Sequence, residues 1–309
     1  MTDYAALFRE LAIPRLVGTP NHQKVREILK RELLARGFAV DEHAFSGRPA
    51  RALLGTPRVV HGINLIAQRS QAEAWARQSL SLRTVPGGPT LQGGKIWLVA
   101  HYDSKGQPIS MAIRLVGFAA LVLGLVALAL AAVPAIALLV VALIIVSQNR
   151  VTDNSPGAVD NASALIAVFM TIDQLSPGTA VGLIFPDAEE FGLVGARALA
   201  AGRADLFADA AVINLDGLDD LGTPVVLSHR PGPIGVAVAT ALKAPRWRWL
   251  PVVVDGIALA GVSRECVTIL KGNWRTMLAV HRPGDTAARV RLDGAASVAA
   301  GLARVLRAQ

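Results

Sequence analysis

The feature that most restricts what this chain can fold into is a run of thirty-two residues, Leu115 to Val146, without one charged or strongly polar side chain (LVGFAALVLGLVALALAAVPAIALLVVALIIV). It exceeds the ~18–20 residues that mark a membrane-crossing helix. As one straight helix it would reach roughly 48 Å, against a hydrocarbon core of ~30 Å. One ordinary span does not fit. Pro134 stands near the middle of the run, and an internal proline removes a backbone donor and crowds the preceding turn. The pattern therefore predicts a helix–turn–helix hairpin. Its first arm, 112–131, is long enough to reach through most of a bilayer, whereas 135–147 supplies only about 20 Å. The competing reading is a buried core helix pair or an oligomer contact. Cores of this size seldom need so long an apolar run, so membrane insertion is expected.

Composition matters here mainly for what it excludes. The 309 residues are 52% hydrophobic and 17% charged, which rules out intrinsic disorder and collagen-like or disulfide-rich classes. Cys266 is the single cysteine, so no intramolecular disulfide can form. The first twenty residues include Asp3, Glu10 and Arg15 with no continuous apolar core. No secretory signal is expected, and the catalytic body is expected to be cytoplasmic. The net charge of +8 points to anionic partners; lipid accounts for it, and nucleic-acid binding is not expected.

Outside the apolar run the chain alternates between helix and strand patterns. Residues 21–36 place Val25, Ile28, Leu29 and Leu33 at helical spacing, Gly37 ends the helix, and FAVDEHAF alternates as a strand. Further strands are predicted at 59–67, 95–100, 180–185, 210–215, 224–228, 250–254 and 266–270, with helices at 159–175, 190–202, 233–243 and 292–307. The stretch 84–94 (TVPGGPTLQGG) reads as a Pro/Gly loop without the order of a phosphate cradle. The expected fold is α/β, a mixed but mostly parallel central sheet with helices on both faces, plus an inserted apolar helical hairpin. Residues 1–108 and 151–309 would form one domain and 109–150 the membrane-associated insertion.

Four short segments fall at or beside strand ends: His101-Tyr102-Asp103, Asp160-Asn161, Asp187 to Glu190, and Asn214-Leu215-Asp216, with His281 further on. Strand C-termini are where open α/β sheets bind ligands. Two imidazoles and several carboxylates make the mixed N/O set that suits zinc or a related divalent ion. Each segment alone is weak, since a His-x-Asp is more often a surface turn and a Glu-Glu pair a solvated helix cap. Their occurrence together at strand ends is what carries weight.

The chain resembles the dinuclear zinc aminopeptidases of the M28 type. The motifs that carry the resemblance are RLVGTP at 15–20, KIWLVAHYDS at 95–104, GAVDNAS at 157–163, PDAEEFGLVGA at 186–196, Asn214-Leu215-Asp216, and HRPGDT at 281–286. Position by position, the resemblance implies two zinc ions, or other divalent ions, bridged by Asp160. His101 and Asp216 would complete one site, Glu190 and His281 the other. Glu189 would serve as the general base and acid. Asp103 would hold the ring of His101, and Asp285 that of His281. A carboxylate bridge is what two closely spaced cations require, and metal-bound imidazoles usually donate their second N–H to a carboxylate or carbonyl. Ala164, Val280, Arg282 and Gly284 depart from the family pattern without removing a ligand. Ser263-Arg264-Glu265 lies where the pocket for the substrate's first side chain is often built.

These readings combine into one expectation. If His101 and Asp160 share a metal centre, the chain between them must leave and return on the same side of a membrane, so the insertion is a hairpin, either two crossings or a re-entrant wedge, the short second arm favouring the shallow or tilted form. Lys105, Arg114 and Arg150 flank it, and cationic flanks favour the cytoplasmic side. Arg246-Trp247-Arg248-Trp249 is a candidate for headgroup contact. The expected function is a membrane-anchored metallo-aminopeptidase acting on peptides, with lipid contacted through 109–150 and an oligomer contact open to the hairpin. A glutaminyl cyclase-like single-zinc acyltransferase and a non-catalytic membrane-docked binding protein are the alternatives.

Overall fold

The computed structural model describes residues 2–50, 56–69, 95–130, 134–148 and 150–308; the expected loop at 84–94 lies outside them. In chain order come Tyr4–Leu11 (α1), Pro20–Ala35 (α2), Phe38–Gly47 (β1), Val60–Arg69 (β2), Ile96–Val99 (β3), Met111–Ala129 (α3) and Ala135–Ser147 (α4). Then follow Ser163–Asp173 (α5), Val181–Phe185 (β4), Val194–Gly202 (α6), Ala211–Leu218 (β5), Thr223–Arg230 (β6), Pro233–Leu242 (α7), Arg246–Trp247 (β7), Asp255–Leu259 (α8), Glu265–Gly272 (β8), Trp274–Ala279 (α9) and Asp293–Arg307 (α10).

The eight strands form one sheet in the order β1-β2-β4-β3-β5-β8-β6-β7. Its centre, β4-β3-β5-β8, is parallel, and antiparallel pairings join β2 to β4 and β8 to β6. The central strands are buried along their length, as Trp97, Leu98, Ile184, Val212 and Ile213 show. That is why they read as continuous apolar runs rather than as an alternation. One core layer gathers α1, α2, α5, α7 and α10 on one face; a smaller one on the other face includes Trp97, Leu199, Phe207 and Leu259.

Two expectations needed correction. Residues 250–254 are irregular, and the short α8 follows at once; Pro251 supplies no backbone donor for a sheet ladder. The edge strand is β7 instead, pairing Arg246 and Trp247 with Val226 and Leu227. The expected helix 190–202 is split: a single turn at Glu189–Phe191 precedes α6, because Gly192 and Leu193 both adopt left-handed backbone.

The apolar run is the pair α3 and α4. Ser110 caps α3 by accepting the Ile113 N–H at 3.3 Å. A Cβ at Gly117 would stand 2.5 Å from Ile145, and one at Gly124 2.9 Å from Leu139. Glycine at these two positions lets the helices approach, and the descending partner numbers make them antiparallel. Much of the rest of both helices is exposed, Val116, Phe118, Leu123, Ile136 and Leu143 among it, while Arg114, Ala120, Ala135 and Ala142 are buried. Among the described residues α3 is the one helix long and apolar enough to cross a membrane. Beneath the pair, Gly106 and Thr152 exchange backbone hydrogen bonds of 2.7 and 2.9 Å. The excursion is closed at its root.

Candidate metal centre

The sheet topology brings the dispersed motifs together. Parallel β3, β4 and β5 lie side by side, so His101 and Glu189-Glu190, just beyond β3 and β4, meet Asp216 near the C-terminal end of β5 at one rim. Asp160 reaches the same rim from the turn before α5. Asn161 locks that turn in place: its side-chain NH₂ donates to the carbonyls of His101 (3.4 Å) and Leu215 (3.1 Å), and its oxygen accepts the Gly217 N–H.

Asp160 stands between the two imidazoles. Its Oδ1 is 3.2 Å from His101 Nε2 and its Oδ2 is 2.9 Å from His281 Nε2. Glu190 Oε1 lies 3.0 Å from His281 Nε2 on one side, and Asp216 Oδ1 lies 3.9 Å from His101 Nε2 on the other. The result is two three-residue donor sets, His101–Asp160–Asp216 and Asp160–Glu190–His281, that share Asp160. All five side chains are largely buried.

These residues suit a divalent ion. Both nitrogens of His101 and Oε1 of Glu190 are sealed from solvent yet lack a well-formed hydrogen bond. Such groups cost stability unless a partner satisfies them. The donor chemistry, imidazole nitrogen and carboxylate oxygen, is that of zinc and its neighbours.

The surroundings set the charge of each group. Asp103 lies under His101, Oδ1 to Nδ1 at 3.3 Å, and accepts the backbone N–H groups of Glu189 (3.1 Å) and Glu190 (3.2 Å). One carboxylate thus holds both the imidazole and the Glu189-Glu190 turn. Burial opposes charge on His101, but Asp103, Asp160, Glu189 and Asp216 outweigh it and raise its pKa well above the usual value. Burial likewise works against ionising Asp160, and there the two histidines prevail and hold it well below the carboxylate range. Glu190, despite burial, is pulled down to about 2 by His281 and Lys105. Glu189 and Asp216 move the other way. Burial raises both well above the normal range, aided by neighbouring carboxylates that include Asp255, with His101 opposing.

Three contacts were not foreseen. Asp285 does not reach His281; its oxygens accept the N–H groups of Val159 (2.9 Å) and Asp160 (3.3 Å), so it supports the turn that carries Asp160. Facing His281 Nδ1 instead, at 2.6 Å, is Arg114 from the first turn of α3. Lys105, fully buried, pairs with Glu190 Oε2 at 3.0 Å. Lys105 and Arg114 are therefore not headgroup flanks, since buried anionic and imidazole partners hold them at the centre; Arg150 is the exposed cationic flank. Their positions beside the apolar run were visible, but their partners, far away in the sequence, were not. Asp255 was missed altogether: it is fully buried, neither oxygen is hydrogen-bonded, and burial raises it to about 7.

Other residues of the motifs are structural. Asp187 accepts from Tyr102 Oη, Ile63 N and Ala188 N and pairs with His22 at 2.8 Å. Arg15 is buried and donates to the carbonyls of Tyr102, Ile13, Pro156 and Gly157. Arg264 is exposed, and Glu265 caps the start of α7 by accepting the Ile234 and Gly235 N–H groups. Trp247 and Trp249 are exposed. A groove of about 540 Å³ lined by Thr19, His22, Arg26 and His61 contains none of the metal-donor atoms.

No curated protein matches the sequence. Among solved structures, a glutaminyl cyclase from Porphyromonas gingivalis superposes with a TM-score of 0.64 at 17% identity, covering 99% of this chain and 96% of the other. An aminopeptidase from Aneurinibacillus sp. strain AM-1 gives 0.62 at 12% identity, over 98% and 92% of the two chains. A leucine aminopeptidase precursor from Bacteroides thetaiotaomicron gives 0.62 at 16%, over 99% and 96%. At such identities these likenesses establish the fold. The profile of peptidase family M28 matches residues 84–244, more than half of the chain, and includes His101, Asp160, Glu189, Glu190 and Asp216. The chain belongs to peptidase family M28.

Proposed function

We propose that this protein is a zinc-dependent aminopeptidase that removes the N-terminal residue of peptides at a two-ion centre, close to a membrane in which α3 and α4 are embedded. The observation that supports it most is the pair of donor sets sharing Asp160, with Glu189 beside them. His101, Asp160 and Asp216 would hold one ion, and Asp160, Glu190 and His281 the other. When bound, divalent ions there supply Lewis acidity toward the scissile carbonyl and toward a water. The remaining work falls to side chains. Glu189 takes a proton from the attacking water onto its carboxylate and delivers it to the leaving amine nitrogen, a task suited to a carboxyl whose proton affinity burial has raised. Asp103 fixes the His101 ring while anchoring the Glu189 and Glu190 amides.

A single-ion cyclase reading has one observation in its favour. Lys105 and Arg114 stand against Glu190 and His281, so the Asp160–Glu190–His281 set is the one opposed by cations. Metal stoichiometry and a panel of aminoacyl anilides, compared with N-terminal glutaminyl peptides, separate the two. Two ions with anilide cleavage support the peptidase; one ion with cyclisation and no cleavage overturns it.

The membrane element of the reading is residues 109–150, with 1–108 and 151–309 as the body. Its support is the exposed apolar surface around both helices, which water would not tolerate, and the length of α3, 19 residues or about 28 Å. The cytoplasmic placement rests on Arg150. Flotation of the full chain with phospholipid vesicles tests the assignment; a chain that stays soluble and monomeric without detergent overturns it.

A further inference from the structure

The two imidazoles of the centre are supported in opposite ways. His101 Nδ1 faces the carboxylate of Asp103 at 3.3 Å, whereas His281 Nδ1 faces the guanidinium of Arg114 at 2.6 Å. A guanidinium can only donate hydrogen bonds. A histidine that binds a metal through one nitrogen usually donates from the other. The first arrangement agrees with metal ligation; in the second Nδ1 must accept, which leaves the ring proton on Nε2, the atom that faces Asp160 and Glu190 and would bind the ion.

Charge adds to the asymmetry. Around Asp160, Glu190 and His281 the chain places two cations, Lys105 on Glu190 and Arg114 on His281. They offset the two carboxylates that would attract an ion. Around His101, the neighbour at the corresponding position is a further carboxylate, Asp103.

Arg114 also belongs to the hairpin. It is buried in the first turn of α3, its backbone N–H donates to Ser110 O at 3.0 Å, and nearby Gln107 donates its N–H to the carbonyl of His281 at 2.7 Å. The root of the apolar insertion is thus seated on one of the two donor sets.

We infer that Arg114 competes with an ion at the Asp160–Glu190–His281 set, so that this set fills only as the root of the hairpin releases His281. The inference deepens the metal reading above and rests on it. Coupling of this kind is reciprocal: whatever draws Arg114 away favours the second ion, and the second ion loosens the hold of the hairpin on the centre.

The test uses the full chain in detergent, stripped of metal and titrated with Co²⁺, followed by visible absorption and calorimetry. His281→Ala identifies the phase that belongs to its set. Arg114→Ala is expected to tighten that phase by about tenfold or more, the scale on which groups behind metal ligands act, and to leave the other phase unchanged. Arg114→Gln, which keeps a hydrogen-bonding side chain without the charge, should do the same, while Arg114→Lys stays near the parent. A His281-dependent phase unchanged or weakened in both neutral variants overturns the inference while leaving the metal reading intact. Absence of any Co²⁺ binding in the parent chain removes both.

Discussion

Lys105 and Glu190 form an ion pair at 3.0 Å sealed from solvent, the lysine side chain 0% and the glutamate 3% exposed. Removing one member of such a pair strands the other charge, at a typical cost of about 3–5 kcal/mol. Lys105→Met is expected to lower the stability of the metal-free chain by that order. Saturating Zn²⁺ should recover much of the loss, because an ion on Glu190 replaces the missing cation. Thermal unfolding with and without metal measures both; an equal loss in the two states contradicts the assignment of Glu190 as a ligand.

Glu189 is tested by Glu189→Gln. The amide keeps the shape and cannot carry the proton, so turnover of an aminoacyl anilide should fall by about 10²–10⁴-fold. Metal content, by elemental analysis, should stay at the parent value. Retained turnover would remove Glu189 from the proton path, and lost metal would make it a ligand.

Asp285 distinguishes support of a turn from support of a ring. It accepts the Val159 and Asp160 amides, and Asp160 is shared by both donor sets. Asp285→Ala should therefore weaken both Co²⁺ phases together, on the order of tenfold. A residue that oriented only His281 would weaken only one phase, and that outcome would contradict the contact described here.

Asp255 predicts a pH dependence in the metal-free chain. Burial raises its carboxyl from 3.8 to about 7, Asp103 adds to the rise, and His101 opposes it. Between those values the folded chain holds a proton that the unfolded chain has released. Stability from this group is thus greatest at the acid end of the window, falls as pH rises, and is fully lost above about pH 7. Relative to Asp255→Asn, the unfolding temperature of the parent should decline across that window and then level off. A constant difference would show that Asp255 does not titrate there.

Much of this was legible in the sequence for identifiable reasons. Buried parallel strands such as Ile96–Val99 and Val181–Phe185 leave apolar runs that periodicity finds, and donors placed just beyond them fall on one rim by topology. The ligand set itself, His101, Asp160, Glu190, Asp216 and His281, was legible through the M28 resemblance, and the structure brings these residues together. What stayed hidden depends on partners distant in the chain. Arg114 and Lys105 read as cationic flanks of an apolar segment, and nothing local shows that they turn inward to His281 and Glu190. Asp285 sits close to His281 in sequence, yet left-handed backbone at His281, φ 62°, separates their directions. Asp255 follows an apolar stretch that reads as a strand but is irregular, and it opens the short helix that comes next.

The paired backbone bonds between Gly106 and Thr152 leave the two ends of the insertion touching. Closing a long excursion adds little to the chain's entropy cost once its ends are joined, so the tip can be lengthened, shortened or exchanged while the sheet keeps its register. The root, with Lys105, Gln107 and Arg114 on the donor residues, has no such freedom. A swap made beyond the first turn of α3 would change the apolar surface the protein presents; one made below it would change what stands behind Glu190 and His281.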